Sequence, residues 1–129
     1  MLNAASENDI CEPKELYGTM KLSGEIITKG LCKFFKIPYS IIRPSAVYGP
    51  TDMNNRVSQI FIEKALKGKE ITVQGKKESL DFTYVEDLVN GIILSATKKG
   101  GINETFNITR GKAEKLIDFV KILSKRIKN

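Results

Sequence analysis

The sequence predicts an α/β fold, because helix-type and strand-type patterns alternate along the chain. Three observations support this: a long amphipathic pattern from Pro13, a short apolar run at 39–43, and later amphipathic patterns separated by extended segments. The chain has 129 residues, of which 41% are hydrophobic and 28% charged. This composition is typical of a globular domain with one core.

The first predicted helix runs from Pro13 to about Phe35. Proline suits the first position of a helix, and Pro38 ends this one. The apolar residues that recur at spacings of three, four and seven are Leu16, Met20, Ile27, Leu31 and Phe34 or Phe35.

The later elements are predicted from the same periodicity and from turn formers. In chain order we expect a strand at 39–43, a loop at 44–55, a helix from Val57 to Leu66 stopped by Gly68, strands at 71–73, 81–85 and 105–109, a helix around 88–96, and a helix from Leu116 to Ile127.

Composition excludes several classes of function. Histidine is absent, which excludes Ser-His-Asp hydrolysis and imidazole metal sites, and we expect no metal. The net charge is +6, of which a net +4 lies in residues 112–129; Phe119 is the single aromatic residue there, so a solvated helix face is favoured over nucleic-acid binding. No apolar run is long enough for a membrane helix, and the N-terminus lacks a secretory pattern. Cys11 and Cys32 are expected to be free thiols in a reducing cytoplasm.

Tyr17 and Lys21 stand four residues apart on the first predicted helix and therefore share one face. An ammonium beside a phenol stabilises the phenolate, so the pair could transfer protons. Taken alone, the pair is better explained as an aromatic and a solvated lysine on one helix, because chance places such pairs in lysine-rich chains.

The order of four motifs favours the first interpretation. They are Tyr-Gly-Thr-Met-Lys-Leu-Ser-Gly-Glu at 17–25, Arg-Pro-Ser-Ala-Val-Tyr-Gly-Pro at 43–50, Leu-Asp-Phe-Thr-Tyr-Val-Glu-Asp-Leu-Val-Asn-Gly at 80–91, and Glu-Thr-Phe-Asn-Ile-Thr-Arg-Gly at 104–111. The series resembles the extended short-chain dehydrogenase/reductase family, the NAD-dependent epimerases and dehydratases of nucleotide sugars. The resemblance covers residues 12 to 129 and corresponds to the C-terminal half of the family.

The resemblance implies a catalytic pair and a cofactor, NAD or NADP. Tyr17 matches the tyrosine that exchanges a proton with the substrate hydroxyl while a hydride moves to or from the nicotinamide. Lys21 matches the lysine that hydrogen-bonds the nicotinamide ribose. Pro44 and Val47 match the backbone that contacts the nicotinamide carboxamide.

The resemblance also implies substrate contacts, with a nucleotide sugar as the substrate. Ala46 and the segment Asn54, Asn55 and Arg56 match substrate-facing positions. A polar helix N-terminus with a capping Asn remains open for that segment. Tyr48, Gly49 and Pro50 are interpreted as structural, as are Asp81 in a turn and Asp87 in a first helical turn.

This sequence departs from the family pattern at three places. The glycine-rich pyrophosphate loop and the catalytic Ser or Thr, which precede the Tyr-Lys pair in the family, are missing. Leu80 stands where many members have an Arg that grips the diphosphate. Ala46 stands where several have a substrate-binding Asn.

The resulting prediction is a partial Rossmann-like doubly wound sheet with part of a small substrate-binding domain. Residues 1–50 would belong to the dinucleotide-binding domain, and 51–129 would mix substrate-domain segments with a returning Rossmann-type strand and helix. We expect a fragment of a sugar-nucleotide epimerase or dehydratase, which forms a homo-oligomer or associates with a missing N-terminal half. The alternatives are a reductase of a non-sugar carbonyl and a non-catalytic interaction module.

Overall fold

The computed structural model describes residues 5–75 and 78–127, and every element below lies in those ranges. The helices are α1 (Leu16–Phe35), α2 (Val57–Leu66), α3 (Val85–Thr97) and α4 (Leu116–Arg126). The strands are β1 (Ser40–Pro44), β2 (Ala46–Tyr48), β3 (Ser79–Leu80), β4 (Phe82–Tyr84), β5 (Glu104–Ile108) and β6 (Glu114–Lys115), and a 3₁₀ turn at Lys99–Gly101 precedes β5.

The strands form three two-stranded pairs within the described residues. β1 pairs with β5, β2 runs parallel to β4, and β3 runs antiparallel to β6. In the parallel pair, Val47 lies opposite Thr83 and Tyr48 opposite Tyr84. A parallel pair needs a long crossover connection, and here α2 lies between the two strands in the sequence. The predicted α/β class is confirmed.

The chain divides into two compact units. The first unit contains the chain up to Arg43 together with Val89–Ile108, and so holds α1, β5 and most of β1 and α3. The second unit contains Pro44–Leu88 and the chain from Thr109 onwards, and so holds α2, α4 and the β2–β4 and β3–β6 pairs.

The buried core of the described residues lies in the second unit. Phe61, Leu116 and Leu123 are all less than a tenth exposed. Phe119 stacks on Phe61 at 6.3 Å between ring centroids and contacts Phe82 at 5.1 Å. Amphipathic α2 and α4 therefore meet through aromatic and leucine side chains, as their periodicity predicts.

The first unit is built differently, because no residue of α1 is fully buried. Its least exposed positions, Gly18, Leu22, Glu25 and Cys32, form a narrow stripe on one face of the helix. Apolar side chains on its other faces stay more than half exposed; they are Leu16, Met20, Ile26, Ile27, Leu31, Phe34 and Phe35.

Four local predictions differ from the structure. α1 begins at Leu16, so Pro13 lies before the helix and packs on Gly18 instead of occupying the first helical position. The segment 71–73 forms no strand; Ile71 and Val73 pack against the core without a ladder partner. β2 lies inside the predicted loop 44–55, and neither strand of the β3–β6 pair was predicted.

None of the helices in the described part of the chain is long and apolar enough to cross a bilayer. Cys11 is exposed, Cys32 is half-buried, and both are free thiols. Within residues 5–75 and 78–127, no cluster of acidic residues and cysteines is grouped as a metal site would require.

Candidate functional site

Tyr17 and Lys21 lie together at the start of α1. The Lys21 Nζ stands 5.5 Å from the centroid of the Tyr17 ring, so the ammonium sits over the phenol as the i, i+4 spacing predicts. Tyr17 is 71% exposed, which leaves its hydroxyl open to a ligand. The structure therefore brings the two predicted side chains together on one exposed face of α1.

An ion pair anchors the middle of α1 to β1. The guanidinium of Arg43 donates two hydrogen bonds to the Glu25 carboxylate, at 2.8 and 2.7 Å. These bonds hold the pKa of Glu25 below its ordinary value. The two bonds form a bidentate contact between the middle of α1 and β1.

The segment before α1 is tied to β5. Arg43 also donates to the Glu7 carbonyl at 3.3 Å, and the Asn107 N–H donates to the Glu7 carboxylate at 2.8 Å. The Asn107 side chain adds a bond to the Ala5 carbonyl at 3.0 Å. The backbone bond from Asn107 lowers the pKa of Glu7. The residues joined here are about a hundred apart, so local sequence patterns did not reveal the contact.

The other predicted site residues lie in the second unit. A cavity of about 460 Å³, here called the Val47 cavity, forms between the loop 48–52 and the start of α3. Pro44 and Val47, predicted to contact the cofactor, line it, and so do Asn54 and Arg56, predicted to face the substrate. The two other predicted substrate residues, Ala46 and Asn55, are not among its lining residues.

Polar side chains at the N-terminus of α2 line the Val47 cavity. Arg56 is the N-cap residue of α2, and its guanidinium donates to the Val47 carbonyl at 3.4 Å. Asn54 donates to the Asp52 carboxylate from its main chain at 3.1 Å and from its side chain at 3.2 Å. A guanidinium beside the positive end of a helix favours anionic groups.

The alternative role for the 54–56 segment, a capping Asn, is wrong. Arg56 is the N-cap and makes no side-chain capping bond. Asn55 has a left-handed φ of 51° and donates its N–H to the Gln59 side chain at 3.1 Å. A glutamine in the first turn of α2 therefore provides the hydrogen-bond partner for the backbone N–H just before the helix.

Ala46 and Asp81 show a connection that sequence reasoning missed. The Asp81 carbonyl accepts hydrogen bonds from the Ser45 hydroxyl and from the Ala46 N–H, the latter at 3.1 Å. The Asp81 carboxylate accepts the N–H groups of Arg110 at 3.1 Å and of Gly111 at 2.8 Å. Asp81 thus joins three segments and fixes where β2 begins, which is more than the turn role predicted for it.

The comparisons with known proteins identify the family and the fold of this chain. The profile of the NAD dependent epimerase/dehydratase family matches residues 3–109, which is most of the chain. The fold is thus that of a Rossmann-like α/β protein, as predicted. The chain belongs to the NAD-dependent epimerase/dehydratase family.

Individual relatives support the same assignment. A protein of Bacillus subtilis (strain 168) named as an uncharacterized UDP-glucose epimerase, YtcB, is 34% identical over 125 residues, or 94% of this chain and 40% of its own length. UDP-glucose 4-epimerase of Thermotoga maritima, solved with UDP-glucose, superposes with a TM-score of 0.89 at 30% identity, covering 97% of this chain and 41% of that one. UDP-glucuronic acid 4-epimerase of Bacillus cereus, solved with UDP-glucuronic acid and NAD, gives 0.87 at 32% identity, with 95% and 40% covered.

The chain therefore spans about 40% of the length of the relatives it matches.

Proposed function

We propose that this chain is the part of a sugar-nucleotide epimerase or dehydratase that carries the Tyr-Lys pair and the nicotinamide contacts. The observation that carries the proposal is the Lys21 ammonium held 5.5 Å from the Tyr17 ring on a family-matched helix. Residues 1–50 would come from the dinucleotide-binding domain, and residues 51–129 would mix substrate-domain segments with a returning Rossmann-type strand and helix. Two free cysteines fit a cytoplasmic enzyme.

We expect residues of this chain to contact the nicotinamide end of NAD or NADP. Pro44 and Val47 line a cavity large enough to admit an aromatic amide, and Lys21 would hydrogen-bond the ribose. NAD or NADP would supply a hydride acceptor beside the sugar carbon. The sequence contains no G-x-G-x-x-G run, so no glycine-rich loop in this chain would hold the pyrophosphate.

The proton chemistry falls to the chain's own side chains. Tyr17 would take the proton of a sugar hydroxyl through its phenolic oxygen and return it later in the cycle, while Lys21 stabilises the phenolate. Arg56 and Asn54 would orient an anionic part of the substrate at the start of α2. Ala46 would set how closely the substrate approaches β2.

A second candidate function is reduction of a non-sugar carbonyl. Many family members have an arginine that grips the diphosphate at the position of Leu80. Here the leucine packs against the Phe61 core, so this position supplies no positive charge. A substrate without a diphosphate would not need that cation. A non-catalytic interaction module is the outcome if no substrate is turned over.

The test joins this chain to the upstream part of the Bacillus subtilis relative and assays UDP- and dTDP-sugars and simple ketones. Tyr17→Phe should lower kcat by roughly 10²–10⁴ with little change in NAD affinity, because it removes only the proton-carrying oxygen. Lys21→Met should lower kcat and also weaken NAD binding. Tyr39→Phe, in the same unit but outside the pair, is the control. Turnover that survives Tyr17→Phe would remove Tyr17 from the mechanism.

A further inference from the structure

A second cavity, of about 550 Å³, lies at the C-terminal end of α1, within the first unit. It is here called the lysine cavity, because Lys29, Lys33 and Lys36 line it. The segment 37–39 and Asn103 form further parts of its wall. None of the residues predicted to bind cofactor or substrate lines it. Its volume falls in the range of cavities that admit a small metabolite.

The lysine cavity is separate from the Tyr-Lys pair. α1 carries Tyr17 in its first turn and Lys33 in its last turn, sixteen residues apart. A helix rises about 1.5 Å per residue, so the two residues lie about 24 Å apart along the helix axis. A small ligand cannot reach both ends, so binding in the lysine cavity is a property distinct from the proposed proton chemistry.

Three positive charges meet at this cavity without a counter-charge. Lysines at 29, 33 and 36 follow spacings of four and three, so they share one face of the helix. None of them forms an ion pair within the described residues, and no acidic residue described there lines the cavity. Glu25, one turn before Lys29, accepts its two hydrogen bonds from Arg43. Like charges on one helix face repel each other, so a bound anion would relieve the repulsion.

The helix dipole alone does not explain the three lysines. The dipole favours a cation in the last turn of a helix, which accounts for Lys33 as it does for Lys125 at the end of α4. Lys29 precedes the last turn of α1, and the effect of the dipole falls off within that turn. Lys36 has a left-handed φ of 56°, at the position where helices commonly end in glycine. The cluster therefore contains more positive charge than the end of the helix requires.

Asn103 adds a neutral donor in a fixed orientation. Its N–H donates to the Tyr39 carbonyl at 2.7 Å, and its side-chain oxygen accepts the Tyr39 N–H at 3.4 Å. Its NH₂ group makes no hydrogen bond within the described residues. Ammonium and amide NH₂ groups only donate, so the matching ligand supplies acceptors and negative charge.

We propose that the lysine cavity binds a phosphate dianion, which is either free phosphate or the end of a small organic phosphate. A phosphate group carries nearly two negative charges and three acceptor oxygens at neutral pH, whereas a carboxylate carries one charge. The three ammonium groups surround the phosphate, and the Asn103 NH₂ group donates to one of its oxygens. Pro38 and the Tyr39 ring present the surface that an organic part would contact. The lysines are exposed, so added salt weakens the binding.

The test titrates the 129-residue chain with inorganic phosphate, phenyl phosphate and benzoate at constant ionic strength. Saturation-transfer NMR follows the ring protons of the two aromatic ligands, and the phosphorus line width follows inorganic phosphate. Phenyl phosphate should bind at least several-fold more tightly than benzoate, which has the same ring but a single charge. Equal affinities of the two phosphates identify free phosphate as sufficient, and tighter binding of phenyl phosphate identifies an organic phosphate.

Variants locate the binding. Lys33→Gln should weaken the affinity for phenyl phosphate about two- to fivefold, the value of one exposed ion pair, whereas Lys125→Gln in the last turn of α4 should not. Lys36→Gly removes a charge but suits the left-handed backbone, so it should weaken binding without lowering the urea midpoint of unfolding. Asn103→Asp keeps the oxygen that bonds to Tyr39 and adds a negative charge, so it should weaken binding more than Lys33→Gln does.

Arg56→Gln separates this cavity from the Val47 cavity. Binding of phenyl phosphate should survive this change, and its loss would place the anion at the start of α2 and overturn the proposal. The proposal is also overturned if neither phosphate binds, if benzoate binds as tightly as phenyl phosphate, or if Lys33→Gln and Lys36→Gly leave the affinity unchanged. These readouts do not depend on whether Tyr17 is catalytic, so they can fail or succeed independently of the proposed function.

Discussion

The two units of this chain bury their apolar residues to different extents. The second unit encloses Phe61, Leu116 and Leu123, each less than a tenth exposed. The first unit, which carries the Tyr-Lys pair, encloses no large apolar side chain among its described residues, although α1 is rich in them. The second unit thus has a core of its own, whereas the first leaves the apolar side chains of α1 exposed.

The largest expected effect of this difference is on association. At tens of micromolar, sedimentation should show the chain in species larger than 14.4 kDa, because the stripe Met20, Ile27, Leu31 and Phe34 attracts other apolar surfaces. Ile27→Glu should reduce association, whereas Ile122→Glu, equally exposed in the second unit, should leave it unchanged. A single monodisperse species at that mass would contradict the interpretation of α1.

Next in size is the effect of truncating a side chain in each unit. Phe61→Ala should lower the free energy of unfolding by about 3–5 kcal/mol, because it opens a cavity in a packed core. Leu31→Ala should cost less than about 1 kcal/mol, since Leu31 is already 53% exposed. Urea unfolding of both variants measures the two values, and equal losses would show that the first unit has a core as tight as the second.

A smaller effect is expected from the ion pair that holds α1 to β1. Glu25→Gln should lower the free energy of unfolding by about 1–3 kcal/mol, since the two side chains are only 23% and 18% exposed. Glu104→Gln, at an exposed position of β5, is the control.

The same pair predicts a pH dependence. The pKa of Glu25 is lower in the folded chain than its ordinary value near 4.5, so the unfolded chain binds protons more readily. The stabilisation is therefore complete above that ordinary value and is lost as the pH falls through the folded pKa. Urea midpoints between pH 6 and pH 3 should fall more steeply for the native chain than for Glu25→Gln, and parallel curves would contradict the assignment.

The helices were predictable because their apolar periodicity reports burial on one face. α2 and α4 end within a residue of their predicted limits. The strands were harder to predict, because a strand of two or three residues is defined by the strand it pairs with. β2 lies in a stretch dense in turn formers and pairs with a segment 36 residues away. Ile71 and Val73 looked like a strand because both pack on the core, yet packing does not require a ladder.

The candidate site was predictable only as far as its spacing is local. The Tyr17–Lys21 contact follows from i, i+4 geometry, and the motif at 43–50 located Pro44 and Val47. The bonds that the Asp81 carboxylate accepts from Arg110 and Gly111, like the bond that the Glu7 carboxylate accepts from Asn107, join residues that no local pattern relates.

The most direct test of the central claim is a calorimetric titration of NAD into the 129-residue chain, and into the same chain joined to the upstream part of a relative. The account holds that this chain supplies the Tyr-Lys pair and the nicotinamide contacts but no glycine-rich pyrophosphate loop. It predicts weak or undetectable binding by the chain alone and restored binding by the joined protein. Sub-micromolar affinity of the chain alone would contradict it.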